Sequence, residues 1–342
     1  MILCPFCSET LELSQKSLDV AILTACNKCM NILVLKSEEN NVVAYAPKGI
    51  QDIRQIARDG SIGAELLRLL PEAVQELPVL PEIVHRVMQL GRDPETSMRE
   101  MAKVIKEDQV VALKVLQLAN SAVYRGLTEV KDLDAACTRL GMKTISNAVF
   151  AVATGQVYNT PSLKYGESVR GLWRHALATS HCASEIGAIL AQGKPDTLFA
   201  AGLVHDIGKL LILHVLSNEM SAAIKPLGES DELFKEVMDA YHSLLGFHLV
   251  RHWELPAEFG IVTFCHEQIE TVPDDSWAPL VHIVALSSAI ADASGFGVCE
   301  RDISLLSHPS SKFLNLNDVK LAALRVDLED KLAPLIEIIG SS

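Results

Sequence analysis

Aromatic residues are scarce in this 342-residue chain, 5% of the whole against 49% hydrophobic, so its interior has to be built from Leu, Ile, Val and Ala. That composition suits packed helices and argues against a disordered chain, which lacks the apolar area to offset its ordering entropy. Positive charge is also short. Thirty Lys and Arg stand against 43 Asp and Glu, a net charge of −13. Nucleic-acid binding rests on basic side chains that neutralise phosphates, so the global charge argues against it and leaves only a local basic patch as a route. Charges interrupt every apolar stretch short of the roughly 18 residues that span a bilayer. Met1-Ile2-Leu3-Cys4 lacks the basic region and apolar run of a signal peptide. These absences predict a cytoplasmic protein with no membrane segment. Strand–helix alternation and internal repeats are missing too, which sets aside a parallel α/β sheet. The length suggests about two domains, one of them large.

The chain does have cysteine, and in a telling arrangement. Four of the eight are paired near the N-terminus, as Cys4-x2-Cys7 and Cys26-x2-Cys29 with 18 residues between the pairs. This is zinc-ribbon spacing: each short turn presents two thiolates, and four complete a tetrahedral shell around Zn²⁺. A module of about 45 residues buries little core, so a metal staple has a structural purpose there. A redox disulfide pair and chance spacing are the alternatives. A filled shell would make this zinc structural, with no open position for catalysis. Only Lys16, Lys28 and Lys36 face the acidic Glu9, Glu12, Asp19, Glu38 and Glu39 in this segment, which favours protein contact or simple support over nucleic acid. Cys137, Cys182, Cys265 and Cys299 are scattered singly and read as small buried hydrophobes.

Composition and periodicity set residues 1–46, a β-containing zinc-ribbon-like module, and 47–72, a helical connector, before a helical remainder, which the resemblance given below divides into a domain over 73–270 and a C-terminal helical extension over 271–342. Within the module, Ile32–Leu35, the polar Ser37–Asn41 and Val42–Ala46 predict a β-hairpin. The connector pattern over 50–71 ends at Pro71. Ser97 followed by Glu100 predicts a capping box. Helices are expected over 82–90, 133–140, 143–156, 168–192, 196–217, 229–251, 256–268, 278–293 and 317–332, with Gly141 closing one of them. The fold class expected is mainly α.

Residues 77–153 carry four linked runs. They are Leu77-Pro78-Val79-Leu80-Pro81, Ile105-Lys106-Glu107-Asp108, Leu118-Ala119-Asn120-Ser121-Ala122-Val123-Tyr124 and Arg139-Leu140-Gly141. Together they resemble the HDOD family of helical signalling domains over about residues 73–270. Gln109 departs from the family's usual proline after the Asp. Asn120 reads either as a structural amide or as a ligand contact. Further on, Leu203-Val204-His205-Asp206-Ile207-Gly208-Lys209 resembles the signature of the wider HD superfamily of metal-dependent phosphohydrolases, with His175 placed 30 residues earlier as a first ligand. The resemblance implies further ligands at His242 and His266, a second divalent metal (Fe, Mn, Ni or Zn) and a phosphate contact at Lys209. Ser288 stands where the superfamily has its last ligand Asp, and Asp292 lies one turn beyond. The Gly-Tyr-Pro loop of the HD-GYP branch is absent after His266-Glu267.

Three readings of His175, His205, Asp206, His242 and His266 therefore stay open: a noncatalytic metal cluster, a polar network without metal, and a working phosphohydrolase. The remaining histidines (His85, His181, His214, His248, His252, His282 and His308) read as structural or surface residues. The leading expectation for the whole chain is a bacterial-type regulatory protein that docks signalling partners through its helices and is able to form a homodimer. The alternative is a phosphohydrolase acting on a nucleotide or cyclic dinucleotide. Nucleic-acid binding through the ribbon is a weaker third.

Overall fold

In the computed structural model, residues 2–11, 21–26, 31–38, 41–47, 62–78, 80–124, 126, 128–158, 165–218, 221–297 and 304–340 are described. Cys29, Cys299, Lys16, Lys28 and the first part of the expected connector helix, 50–61, lie outside them. The chain is mainly helical, with short antiparallel strands at its front. It forms two units: Met1–Leu77 with Val204–Ala285, and Pro78–Leu203 with Leu286–Ser342.

The first unit opens on strands β1 (Ile2–Leu3) and β2 (Thr10–Leu11), antiparallel with Ile2 opposite Leu11. Between them the chain turns tightly: Cys4 N donates to Glu9 O, Ser8 N donates to Cys4 O, and Ser8 adopts φ 60°. Strands β3 (Ile22–Ala25), β4 (Ile32–Glu38) and β5 (Asn41–Tyr45) form a second antiparallel sheet in the order β3-β4-β5. The β4–β5 pairing runs from Val34 opposite Tyr45 to Glu38 opposite Asn41, the expected hairpin. Ile32 and Leu33 point to opposite faces yet both are buried. A strand covered on both sides reads as a continuous apolar run. The helical part of the unit contributes to that cover. Trp277 Nε1 donates to Ala21 O at 2.7 Å and Arg251 Nη1 donates to Ala25 O at 3.3 Å.

Helix α1 (Ile62–Glu76) runs straight through Pro71, where the sequence pattern predicts its end. Proline inside a helix costs about 3 kcal/mol. Here Leu66, Leu67, Leu69 and Leu70 before it and Ala73 and Val74 after it are all buried, and that continuous face outweighs the lost hydrogen bond. Its packing partners are α8 (Ile207–Ser217) and α9 (Asp231–His252), the latter capped by Ser230 accepting from Leu233 N. Helix α10 (Ala257–Cys265) then packs on α9.

The second unit holds α2 (Glu82–Arg92), α3 (Met98–Ile105), α4 (Gln109–Ala119), α5 (Leu133–Tyr158), α6 (Gly166–Leu190) and α7 (Pro195–Val204). Helix α11 (Ala278–Ala291) ends in this unit, followed by α12 (Pro309–Phe313) and α13 (Asp318–Gly340). The capping box opens α3, with Glu100 N donating to Ser97 Oγ and Ser97 N donating to Glu100 Oε2. Asp108 caps α4 by accepting from Val110 N and Val111 N, so Gln109 occupies a first-turn position that suits proline equally well. The two helices expected over 133–140 and 143–156 are both present within the α5 range, separated by a break at Gly141 (φ 76°, ψ 164°). A positive φ there favours glycine.

Two corrections concern apolar helices. The single helix expected over 196–217 is α7 and α8, separated by a turn at His205-Asp206. Asp275–Phe296, and Thr197–Ser217 if its break at His205-Asp206 is disregarded, have the length and apolar composition to cross a membrane, contrary to the sequence reading. The Thr197–Ser217 stretch is 94% buried within the protein, as core helices are.

Candidate metal centres

The turn that separates α7 from α8 sets His205 and Asp206 at the N-terminal end of α8. Asp206 receives its neighbours from two more helices of the same unit: His242 from the middle of α9 and His266 from the end of α10. His242 Nε2 lies 3.4 Å and His266 Nε2 3.3 Å from Asp206 Oδ1, and the two imidazole nitrogens are 3.4 Å apart. His205 Nε2 is 3.5 Å from Asp206 Oδ2, and its ring meets the His266 ring edge to face. Side chains of His205 and His242 are wholly buried and that of Asp206 is 3% exposed.

The far sides of the imidazoles decide what the near sides offer. His242 Nδ1 is 2.7 Å from the Met238 carbonyl, and His266 Nδ1 is 3.1 Å from the Thr263 carbonyl. Carbonyls only accept, so each ring carries its proton on Nδ1 and turns its Nε2 lone pair inward, that of His242 also lying 3.2 Å from Ser243 Oγ. Burial, with help from the nearby Lys209 ammonium, pushes the His242 pKa down to about 4, so it is neutral at physiological pH. Burial would raise the Asp206 carboxyl. The Lys209 ammonium, foremost, outweighs it and holds Asp206 well below the usual carboxylate range.

Two lone pairs and a carboxylate oxygen thus face one another at 3.3–3.4 Å. Three ligands about 2.0–2.1 Å from a tetrahedral ion stand roughly 3.3–3.4 Å apart. The backbone carbonyls behind the rings are the supports that metal-binding histidines use to fix tautomer and orientation. Asp206, His242 and His266 therefore fit a divalent cation. Sequence reasoning missed Glu267 as part of this environment: its Oε2 is 3.7 Å from His242 Nε2. Its carboxyl is held below the ordinary value despite burial, with the Lys209 ammonium among the causes. Lys209, expected on a phosphate, donates to Asp206 Oδ2 at 2.5 Å.

His175 belongs to the second unit, on α6. Its Nε2 is 3.2 Å from Ser288 Oγ and its Nδ1 is 3.2 Å from Asp292 Oδ1. Ser288 and Asp292, four residues apart across the end of α11, thus both reach this ring.

At the front of the chain, Cys4, Cys7 and Cys26 converge so that their sulfurs lie within 4.8 Å of one another. Cys7 Sγ and Cys26 Sγ are 3.6 Å apart. That is far beyond a disulfide bond and close to the roughly 3.8 Å edge of a thiolate tetrahedron around zinc. Cys4 and Cys26 are buried with Leu33, and Phe6 and Leu11 pack against them. The three described cysteines fit a metal of thiolate preference, the fourth expected ligand being Cys29.

The other motif residues are structural. Asn120 Nδ2 donates to Val130 O at 2.7 Å and Asn120 Oδ1 accepts from Val130 N at 2.8 Å. Arg139 donates to Ala119 O and Thr128 O, so the two motifs together clamp the loop between α4 and α5.

Comparison with known proteins places this architecture. A model of the HDOD domain matches residues 77–269. An uncharacterized protein of Treponema pallidum is 21% identical over 232 residues, 66% of this chain but only 44% of that protein. Among solved structures, an HDOD domain protein of unknown function from Geobacter sulfurreducens is 23% identical with a TM-score of 0.61, covering 81% of this chain and 96% of its own. A candidate metal-dependent phosphohydrolase of Shewanella amazonensis SB2B is 20% identical with a TM-score of 0.61, covering 84% and 98%. A candidate signal transduction protein of Marinobacter aquaeolei VT8 is 17% identical with a TM-score of 0.62, covering 90% and 75%. These likenesses establish a shared fold, and with the domain match spanning more than half its length, the chain belongs to the HDOD family.

Proposed function

We propose that this protein is a cytoplasmic regulatory module that acts by being recognised by signalling proteins, with metal ions used to hold its structure. Zn²⁺ at Cys4, Cys7, Cys26 and Cys29 staples the N-terminal strands. A divalent cation at Asp206, His242 and His266 ties α8, α9 and α10 together. The observation that carries the noncatalytic reading is the state of Asp206. Lys209 donates to one of its oxygens, Oδ2, and its side chain is 3% exposed. A hydrolase needs an open position for water or substrate beside its ion, and this carboxylate gives a phosphate ester little to approach. The hydroxyl of Ser288 on His175, where a ligand carboxylate would serve an active centre, supports the same reading. Its helical surface is the partner-binding face in this proposal, and a homodimer is compatible with it.

The second reading, a metal-dependent phosphohydrolase, draws support from the fit of the His/Asp cluster and from the description of the Shewanella relative. Elemental analysis of wild type, His205→Ala and Cys4→Ser, run beside hydrolysis of cyclic dinucleotides, nucleotides and bis(p-nitrophenyl) phosphate with Mn²⁺, Fe²⁺, Ni²⁺ or Zn²⁺, separates the two. The regulatory reading expects zinc lost in Cys4→Ser and no turnover with any metal. Turnover abolished by His205→Ala, in a variant that keeps its fold, would replace it with the hydrolase.

A further inference from the structure

The second unit contains another convergence of ligand-type side chains, outside every motif discussed so far. His181 and Glu185 are four residues apart on α6 and share one face of the helix. Asp327 of α13 packs against that face, with its Oδ2 3.5 Å from His181 Nε2, and ligand atoms of all three residues lie within 4.8 Å of one another. The other oxygen of Asp327 accepts from Lys331 Nζ at 2.8 Å, which fixes the carboxylate. His181 Nε2 is buried and has no hydrogen-bond partner, since 3.5 Å is too long for a good one. A buried polar atom left in that state costs free energy and points to a missing ligand. Burial lowers the His181 pKa against the pull of Glu185 and Asp327. The two carboxylates are balanced by two ammonium groups, Lys331 on Asp327 and Lys143 in the adjoining cavity.

A cavity of about 150 Å³ adjoins it, lined by His181, Ser184 and Glu185 from α6, Lys143 and Thr144 from α5, and Tyr124 from the loop after α4. That volume holds several water molecules among polar partners. We propose that His181, Glu185 and Asp327 form a divalent-cation site completed by water in this cavity. Imidazole and carboxylate donors suit Mn²⁺ or Zn²⁺. The ion would join α6 to α13 beside Tyr124, which closes the Asn120-to-Tyr124 run. It would thus link the family's distinctive loop to the C-terminal helix, independently of the Asp206 cluster.

Counting Mn²⁺ bound by the full-length protein, by electron paramagnetic resonance, tests the site. Mn²⁺ prefers oxygen and imidazole to thiolate, so the cysteine centre does not contribute, and the Asp206 cluster contributes equally to every variant. Glu185→Gln and Asp327→Asn should each bind one Mn²⁺ fewer than wild type, with unchanged circular dichroism. The proposal is overturned if Glu185→Gln binds as many as wild type. Glu185 is only half-buried and the change is isosteric, so this variant decides the matter even if Asp327→Asn fails to fold.

Discussion

The Asp206 cluster depends on how closely α8 approaches α9, and one methyl group is enough to test that dependence. A Cβ added at Gly208 would lie 1.9 Å from the His242 carbonyl oxygen and 2.6 Å from Gly246 N. Both are backbone atoms, so no side-chain rotation relieves the clash. Carbon contacts below 3.0 Å are essentially never seen, and the two helices must therefore part by at least about 1.1 Å. The His242 ring rides on the backbone that moves. Its Nε2, now 3.4 Å from Asp206 Oδ1, would retreat to about 4.5 Å, beyond the spacing of two ligands on one ion. Gly208→Ala should cost about 1–3 kcal/mol from overpacking, read as a lower urea midpoint, and should strip the cation from this cluster while leaving zinc at the cysteines. Gly166→Ala serves as the control, because its Cβ would meet only the flexible end of Arg170 at 3.6 Å. A Gly208→Ala protein with the wild-type midpoint and full metal content would refute the close-approach argument.

Three further outcomes are expected. Burial pushes the Cys137 thiol up to about 11 and those of Cys182 and Cys265 up to about 12. At pH 8 the thiolate share of each is roughly 0.1% or less, so iodoacetamide should leave all three unmodified until the protein is unfolded, as peptide mass spectrometry will show. Ser97→Ala removes the α3 cap and should cost about 1 kcal/mol, measured by urea denaturation, with metal content unchanged. Asn120→Ala strips Val130 of partners for both its N–H and its carbonyl and should cost about 2–3 kcal/mol. A loss of less than about 0.5 kcal/mol would mean that the loop finds other partners.

Several features were legible in the chain because they depend on neighbours a few residues away. The capping box at Ser97 and Glu100, the β4–β5 hairpin and the bend at Gly141 are set by local backbone chemistry, and each stands where the pattern predicts. Pro71 shows the limit of local rules. Its propensity calls for a helix end, but burial of the face on both sides of it carries α1 through. The turn at His205-Asp206 is a similar case, hidden because apolar residues flank it without interruption.

The sequence by itself determined which residues could bind metal and that the body would be helical, since ligand chemistry and hydrophobic periodicity are written residue by residue. Only the tertiary structure decided which ligands meet. Asp206, His242 and His266 come from three helices, and no spacing along the chain reports that their lone pairs converge to 3.4 Å or less. His181 and Asp327 lie on two helices far apart along the chain, α6 and α13, and Lys209 turned to Asp206 where a phosphate contact was expected. Helix packing sets those distances, and packing depends on contacts between residues remote in sequence.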